Sequence, residues 1–359
     1  MKRVFNFSAG PAILPLEILE KASKEMVNFK ESGMSLMEVS HRTPLYEEVH
    51  NEAIALIKEV YSVPDNFDVL FLQGGASSQF FMVPMNVSVS GKSAGYAITG
   101  TWGEKALKEA KIQKRGVVML CNTKESNFNN IPKNIEIKSD LSYVHITSNE
   151  TIQGVQFKKY PETNGIPLII DASSDVFSYK IDWKNIGILY AGAQKNAGPA
   201  GVTIVIVRKD LYERENDSIP TMLRYSTHAK ENSLYNTPPV WCIYMLMLNM
   251  KWLKNLGGID AIAKLNEKKA NLIYKAIDES AGFYIGHAEK SVRSLMNVTF
   301  VLKNKELDAK FIKESEELGM LGLKGHRSVG GMRASIYNAM PVEGCEKLAE
   351  FMKNFASKN

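Results

Sequence analysis

What most restricts the fold is a rhythm of short apolar runs, at 68–72, 93–98, 117–121, 143–147, 167–170, 188–191 and 201–207, separated mostly by helical or irregular stretches. Each run has the length of a strand, and positions that are apolar in succession suit strands covered on both faces. Helical spacing precedes them: Ile18, Leu19, Ala22, Met26 and Phe29 follow Pro15, and residues 46–60 repeat the pattern. The first two thirds therefore reads as α/β, a mainly parallel sheet with helices on its faces. After Gly257-Gly258 the character changes to a long Lys/Ala/Leu helix, a strand at 296–302, a helix near 307–318 and a strand at 333–337. A chain of 359 residues favours more than one core. We expect a large domain at 16–257 and a smaller α+β domain at 258–359 that also takes in residues 1–15. The glycine pair is a candidate hinge, though paired glycines also occur in helix caps.

Composition sets limits on function. Apolar residues at 45% and charged residues at 23% are those of a packed globular protein. The net charge of +5 has no concentrated basic stripe behind it, which argues against nucleic-acid binding. Lys264, Lys268, Lys269 and Lys275 read as the wet face of an amphipathic helix. The cysteines, Cys121, Cys242 and Cys345, lack the spacing of a metal site or redox pair, so a reducing cytoplasm and no metal are expected. The start lacks a signal peptide's apolar stretch, and the most apolar segment, 240–250, is too short to span a membrane and reads as a buried helix.

The richest segment is Tyr190-Ala191-Gly192-Ala193-Gln194-Lys195-Asn196-Ala197-Gly198-Pro199-Ala200-Gly201. It sets a lysine among small residues between a strand and a Gly/Pro turn, where a flat cofactor can approach and desolvation can free the amine for a Schiff base. An isolated lysine here reads first as a surface lysine in a turn, and it is the context that overturns that reading. Upstream, the run 167–170 ends in Asp171, at the carboxyl end of a strand where α/β sheets present functional groups. A carboxylate there can hold a proton on the pyridine nitrogen of pyridoxal 5'-phosphate (PLP), or simply cap the next turn. Gly74-Gly75-Ala76-Ser77-Ser78 offers free backbone N–H groups to a phosphate, or is an ordinary strand-to-helix turn. Trp102 has glycines close on either side, in Gly100-Thr101-Trp102-Gly103, that could free its ring to stack on a cofactor; it could also be core.

Taken jointly with Phe5-Asn6-Phe7-Ser8-Ala9-Gly10-Pro11, Ser40-His41-Arg42, Asn236-Thr237-Pro238-Pro239 and the stretch from Gly325 to Ser335, these residues resemble the phosphoserine aminotransferase family of class V aminotransferases. The resemblance runs through nearly the whole chain. It implies a fold-type I PLP enzyme in which Lys195 carries the cofactor, Asp171 pairs with the pyridine nitrogen and Trp102 stacks on the ring. Thr151 and Gln194 would touch the cofactor, and Ala76 and Ser77 would bind its phosphate. Asn236 and Thr237 would join them from the other subunit of a homodimer. Some family members carry arginine where this chain has Ser77, which removes one cation near the substrate entrance.

The implied substrates, glutamate and 3-phosphohydroxypyruvate, share a carboxylate and differ in the distal anion. Arg333 or Arg42 suits the shared group because a guanidinium grips a carboxylate with two parallel bonds, and the resemblance favours Arg333. His41, Arg42, His326 and Arg327 would meet the distal anion, the imidazoles taking up a proton when the phosphate binds. The products would be phosphoserine and 2-oxoglutarate, with a phosphorylated hydroxythreonine as a further amino product. The rivals are a cysteine desulfurase of the same class, for which all three cysteines are poorly placed, and a catalytically silent phosphate-binding scaffold, which has no use for both Lys195 and Asp171.

Overall fold

Most of the apolar runs become strands because helices bury them from both sides; the run at 117–121 is the sheet's edge, with Val118 and Met119 exposed. The computed structural model describes residues 3–359. Strand β1 (Phe5–Asn6) is followed by β2 (Phe67–Leu72), β3 (Ala94–Ile98), β4 (Val117–Asn122) and β5 (Val144–Thr147). A small hairpin, β6 (Asn149–Glu150) and β7 (Val155–Gln156), then precedes β8 (Leu168–Asp171), β9 (Ile186–Gly192) and β10 (Thr203–Arg208). The main sheet has the order β2-β10-β9-β8-β5-β3-β4. Neighbours from β9 to β4 run parallel, and β10 is antiparallel to both β2 and β9. The fold is α/β with a mainly parallel sheet, as the sequence predicts.

The helices are α1 (Leu16–Glu25), α2 (Pro44–Tyr61), α3 (Gly75–Val87), α4 (Thr101–Ile112), α5 (Tyr225–Lys230), α6 (Val240–Asn255), α7 (Gly258–Asp278), α8 (Asp308–Glu317) and α9 (Val342–Lys358). Alternation along the strands sends side chains to opposite faces. Leu168, Ile170, Ile204 and Ile206 share a cluster with the apolar faces of α2 and α6, whereas Ile169, Val205 and Val207 join Phe80 of α3 and Leu107 of α4. The apolar stretch at 240–250 lies in α6, a buried helix as expected, and no helix among the described residues is long and apolar enough to cross a membrane.

A separate apolar cluster fills the C-terminal part. Here β11 (Tyr284–Gly286), β12 (Asn297–Leu302) and β14 (Met332–Ser335) form an antiparallel sheet against α7 and α9. Phe7 and Ile13 belong to this cluster, and β1 pairs in parallel with β13 (Met320–Leu321). Gly257, with φ 104°, is the residue at which α7 begins, so the glycine pair serves as a helix start.

Two expectations are corrected here. Lys269 is not on a wet face: it is 1% exposed, and its Nζ donates to the carbonyls of Ile336, Tyr337 and Asn338 at 3.0, 2.7 and 3.4 Å. The same bonds explain why β14 ends at Ser335 rather than at 337, because the next carbonyls turn toward the ammonium. Lys269→Met should strand these acceptors and cost about 3 kcal/mol, seen as an earlier midpoint in urea unfolding.

Candidate active site

The parallel strands deliver the chemistry at their carboxyl ends. Asp171 is the last residue of β8, in register with Thr147 on one side and Tyr190 on the other. Lys195 follows just after β9. Its Nζ donates to Thr151 Oγ1 at 2.7 Å and lies 5.2 Å from the centre of the Trp102 ring. Asp171 is 4% exposed; its Oδ1 accepts from the Ser173 amide at 3.0 Å, and no ion pair among the described residues engages it. Loss of water pushes the Lys195 amine down to about 8, with Asp171 opposing the shift and Arg333 adding to it. Burial raises the Asp171 carboxyl, and Lys195 pulls it back.

The phosphate cradle is equally local in origin. Gly74, with φ 88°, turns the chain from β2 into α3, a conformation that favours glycine. No side chain caps the helix and no acidic residue lies in its first turn, so the amides near Ala76 and Ser77 are available to an anion. Asn236 is close to this turn within the same chain, its Nδ2 donating to Gln73 Oε1 at 3.3 Å and to the carbonyl of Thr237 at 3.3 Å. Gln194 is held through its carbonyl, which accepts from the Ala12 amide at 2.9 Å. The Ser8-Ala9-Gly10-Pro11 loop thereby packs against the lysine segment, and Tyr337 Oη ties it from above by donating to the Ala9 carbonyl at 2.7 Å.

The cationic residues divide into two groups. Arg333, on β14, lies near enough to Lys195 to lower its pKa, and its buried Nε has no partner. His326 is pushed down by loss of water and by Arg333, Arg327 and Lys105, so these four share one electrostatic neighbourhood. His326 Nδ1 lies 2.8 Å from Ser328 Oγ. His41 and Arg42 sit just ahead of α2, and no hydrogen bond or ion pair joins them to this neighbourhood within the chain; the buried Nε2 of His41 is without a partner.

Three residues near the site carry no signal in the sequence. Asn196 accepts at Oδ1 from the Asn338 amide at 2.8 Å, joining the lysine segment to the chain beyond β14. Lys105 places its Nζ 4.2 Å from the Trp102 ring centre. Glu150, fully buried, accepts from the amides of Trp102 and Gly103 at 3.0 and 2.9 Å. Gly100 makes room for this carboxylate. A Cβ on Gly100 would lie 2.3 Å from Glu150 Cδ. Asn196 and Glu150 could not be read from periodicity, since each depends on a partner far along the chain, whereas Lys105 meets Trp102 one turn away on α4.

The donor set fits PLP: it combines an unpaired buried carboxylate, an open helix start and a lysine with a lowered pKa beside an aromatic ring. Burial pushes Cys121 up to about 11, Cys345 up to about 12 and Cys242 upward as well, the opposite of what a nucleophilic thiol requires.

The chain belongs to the class V aminotransferases, whose family profile matches residues 4–348. It is therefore a PLP-dependent transaminase. The phosphoserine aminotransferase of Lysinibacillus sphaericus strain C3-41 is 54% identical over 360 residues, covering 100% of this chain and 99% of that relative. The phosphoserine aminotransferase of Bacillus subtilis strain 168 is 52% identical over 361 residues and 100% of both chains. Among solved structures, phosphoserine aminotransferase from Bacillus circulans subsp. alkalophilus superimposes with a TM-score of 0.97 at 51% identity, covering 100% of this chain and 99% of that one.

Proposed function

We propose that this chain transfers the amino group of glutamate to 3-phosphohydroxypyruvate, giving O-phospho-L-serine and 2-oxoglutarate in serine biosynthesis. The observation that carries the reading is the Lys195 amine, 2.7 Å from the Thr151 hydroxyl and 5.2 Å from the Trp102 ring, in the electrostatic reach of buried Asp171. The identity of over half to phosphoserine aminotransferases along the full chain supports the substrate. The same chemistry extends to 4-phosphohydroxy-L-threonine, an amino product of vitamin B6 biosynthesis.

In this reading Lys195 tethers PLP, and Ala76 and Ser77 hold its phosphate, with Asn236 and Thr237 contributed by the partner of a homodimer. Gln194 and Thr151 would contact the cofactor and Trp102 would offer its ring to it. Bound PLP supplies an electron sink for charge developing at the substrate α-carbon. With PLP bound, the Lys195 amine would take the substrate α-proton and Asp171 would hold a proton at the pyridine nitrogen. Arg333 grips the α-carboxylate. His326 and Arg327, with His41 and Arg42, meet the distal anion. The division into residues 16–257 and residues 258–359 with 1–15 belongs to this proposal, with the site between the two parts.

Arg333→Lys replaces a planar fork with a point charge, so kcat/KM for both glutamate and phosphoserine should fall roughly 10- to 100-fold. An unchanged value for glutamate would move the carboxylate site elsewhere. The reading as a whole is tested by the absorbance spectrum of the PLP-loaded protein. Its visible band should convert to that of the aminated cofactor with phosphoserine and not with cysteine or alanine; a band unmoved by phosphoserine would overturn the substrate.

A further inference from the structure

The most expensive feature beside the site is a carboxylate to which the reaction assigns no step. Glu150 is 0% exposed, and none of the ion pairs among the described residues includes it. Burying an isolated carboxylate is costly, and a neutral side chain of the same length would avoid the charge. What Glu150 has in place of a cation is the start of α4. Its Oε2 accepts from the Trp102 amide at 3.0 Å and its Oε1 from the Gly103 amide at 2.9 Å. These are two of the amides that a helix leaves open in its first turn, where the helix dipole also favours a negative charge.

An ordinary cap comes from the residue that precedes the helix. Here that residue is Gly100, which makes no side-chain bond. The φ of Gly100 is 177°, extended backbone open to any residue, so its requirement is one of space: a Cβ would stand 2.3 Å from Glu150 Cδ and 2.5 Å from Glu150 Oε2. The cap is delivered instead by hairpin β6–β7. The next residue in that hairpin is Thr151, whose hydroxyl receives the Lys195 amine. A second bond, from Gln153 Nε2 to Thr101 Oγ1 at 2.8 Å, joins the same hairpin to the same helix turn.

We propose that Glu150 is a positioning residue: its carboxylate clamps the first turn of α4 to the hairpin bearing Thr151, and so fixes the Trp102 indole in register with the Lys195 amine. The inference rests on the reading that Trp102 and Lys195 share one cofactor. Burial raises the Glu150 carboxyl to about 7, and the two amides oppose the shift.

Glu150→Gln keeps the length but presents only one acceptor to two amides, with an NH2 group facing the other. In the PLP-loaded protein, the circular-dichroism signal of the visible cofactor band should weaken at least twofold, and kcat with phosphoserine should fall about 10-fold while KM moves less than threefold. Gly100→Ala displaces the same carboxylate without removing it and should give the same pattern, which keeps the test open if Glu150→Gln does not fold. A folded Glu150→Gln protein with unaltered dichroism and kcat, or one that loses only thermal stability, overturns the proposal. Hydrogen exchange of the wild-type chain tests the clamp without reference to the cofactor. The Trp102 and Gly103 amides should be protected beyond those of an open helix start, and rapid exchange at both would also overturn the proposal. Absence of the visible band in the wild type, with both amides protected, would instead count against the cofactor reading.

Discussion

Lys195→Ala should lower transamination by at least roughly 10⁴-fold, because under the proposed roles one side chain is both the cofactor's tether and the base that moves the α-proton. The visible band of lysine-bound PLP should vanish, even if the phosphate cradle still retains the cofactor. Added alkylamines should restore part of the proton transfer but not the tether. A mutant that turns over at a rate near the wild type with cofactor bound would sink the assignment. The position of the amine also sets a pH dependence. An ordinary lysine loses its proton near 10.5, whereas the shift down to about 8 makes the neutral amine abundant much earlier. The rate at which cofactor-free protein captures PLP should therefore climb with pH and level off above about 8, as followed by stopped-flow absorbance.

Asp171→Asn should be the second largest loss, roughly 10³-fold in kcat. The substitution keeps the shape and can still accept the Ser173 amide, but removes the buried negative charge that, under the proposed roles, holds a proton on the pyridine nitrogen. Lys195 would still be present, so a visible band should remain. That combination, cofactor captured but turnover lost, would separate the two proposed roles, holding the cofactor and setting its electron demand. A kcat within threefold of the wild type would show that the carboxylate is a cap for the Ser173 turn and nothing more.

How legible these residues are depends on how locally they are specified. Asp171 and Lys195 stand where apolar runs stop, and an apolar run stopping in an α/β sheet marks the edge at which ligands bind. Gly74 and Gly75 are visible for the same reason, at the passage from β2 to α3. Lys269 misleads because its helix does have a wet face, occupied by Lys264, Lys268 and Lys275; only the carbonyls of residues 336–338 distinguish it. Glu150 is invisible in sequence because β6 is a two-residue strand with no periodicity, and its partners lie 47 and 48 residues away. The arginine and histidine pairs are legible only through resemblance to a family, since an exposed basic residue looks the same in sequence whether or not it faces a substrate.

The bond from the Asn338 amide to Asn196 has a bearing on which amines can react. Asn196 adjoins Lys195, and Asn338 lies a few residues beyond Arg333, with Lys269 gripping the backbone between them. Under the proposed roles, the group that anchors the carboxylate and the group that handles the proton are the two jaws of one calliper, set at a fixed gap. Such an instrument measures its substrates: an amine on the carbon next to the carboxylate meets both jaws, whereas an amine at the far end of the molecule satisfies one and misses the other.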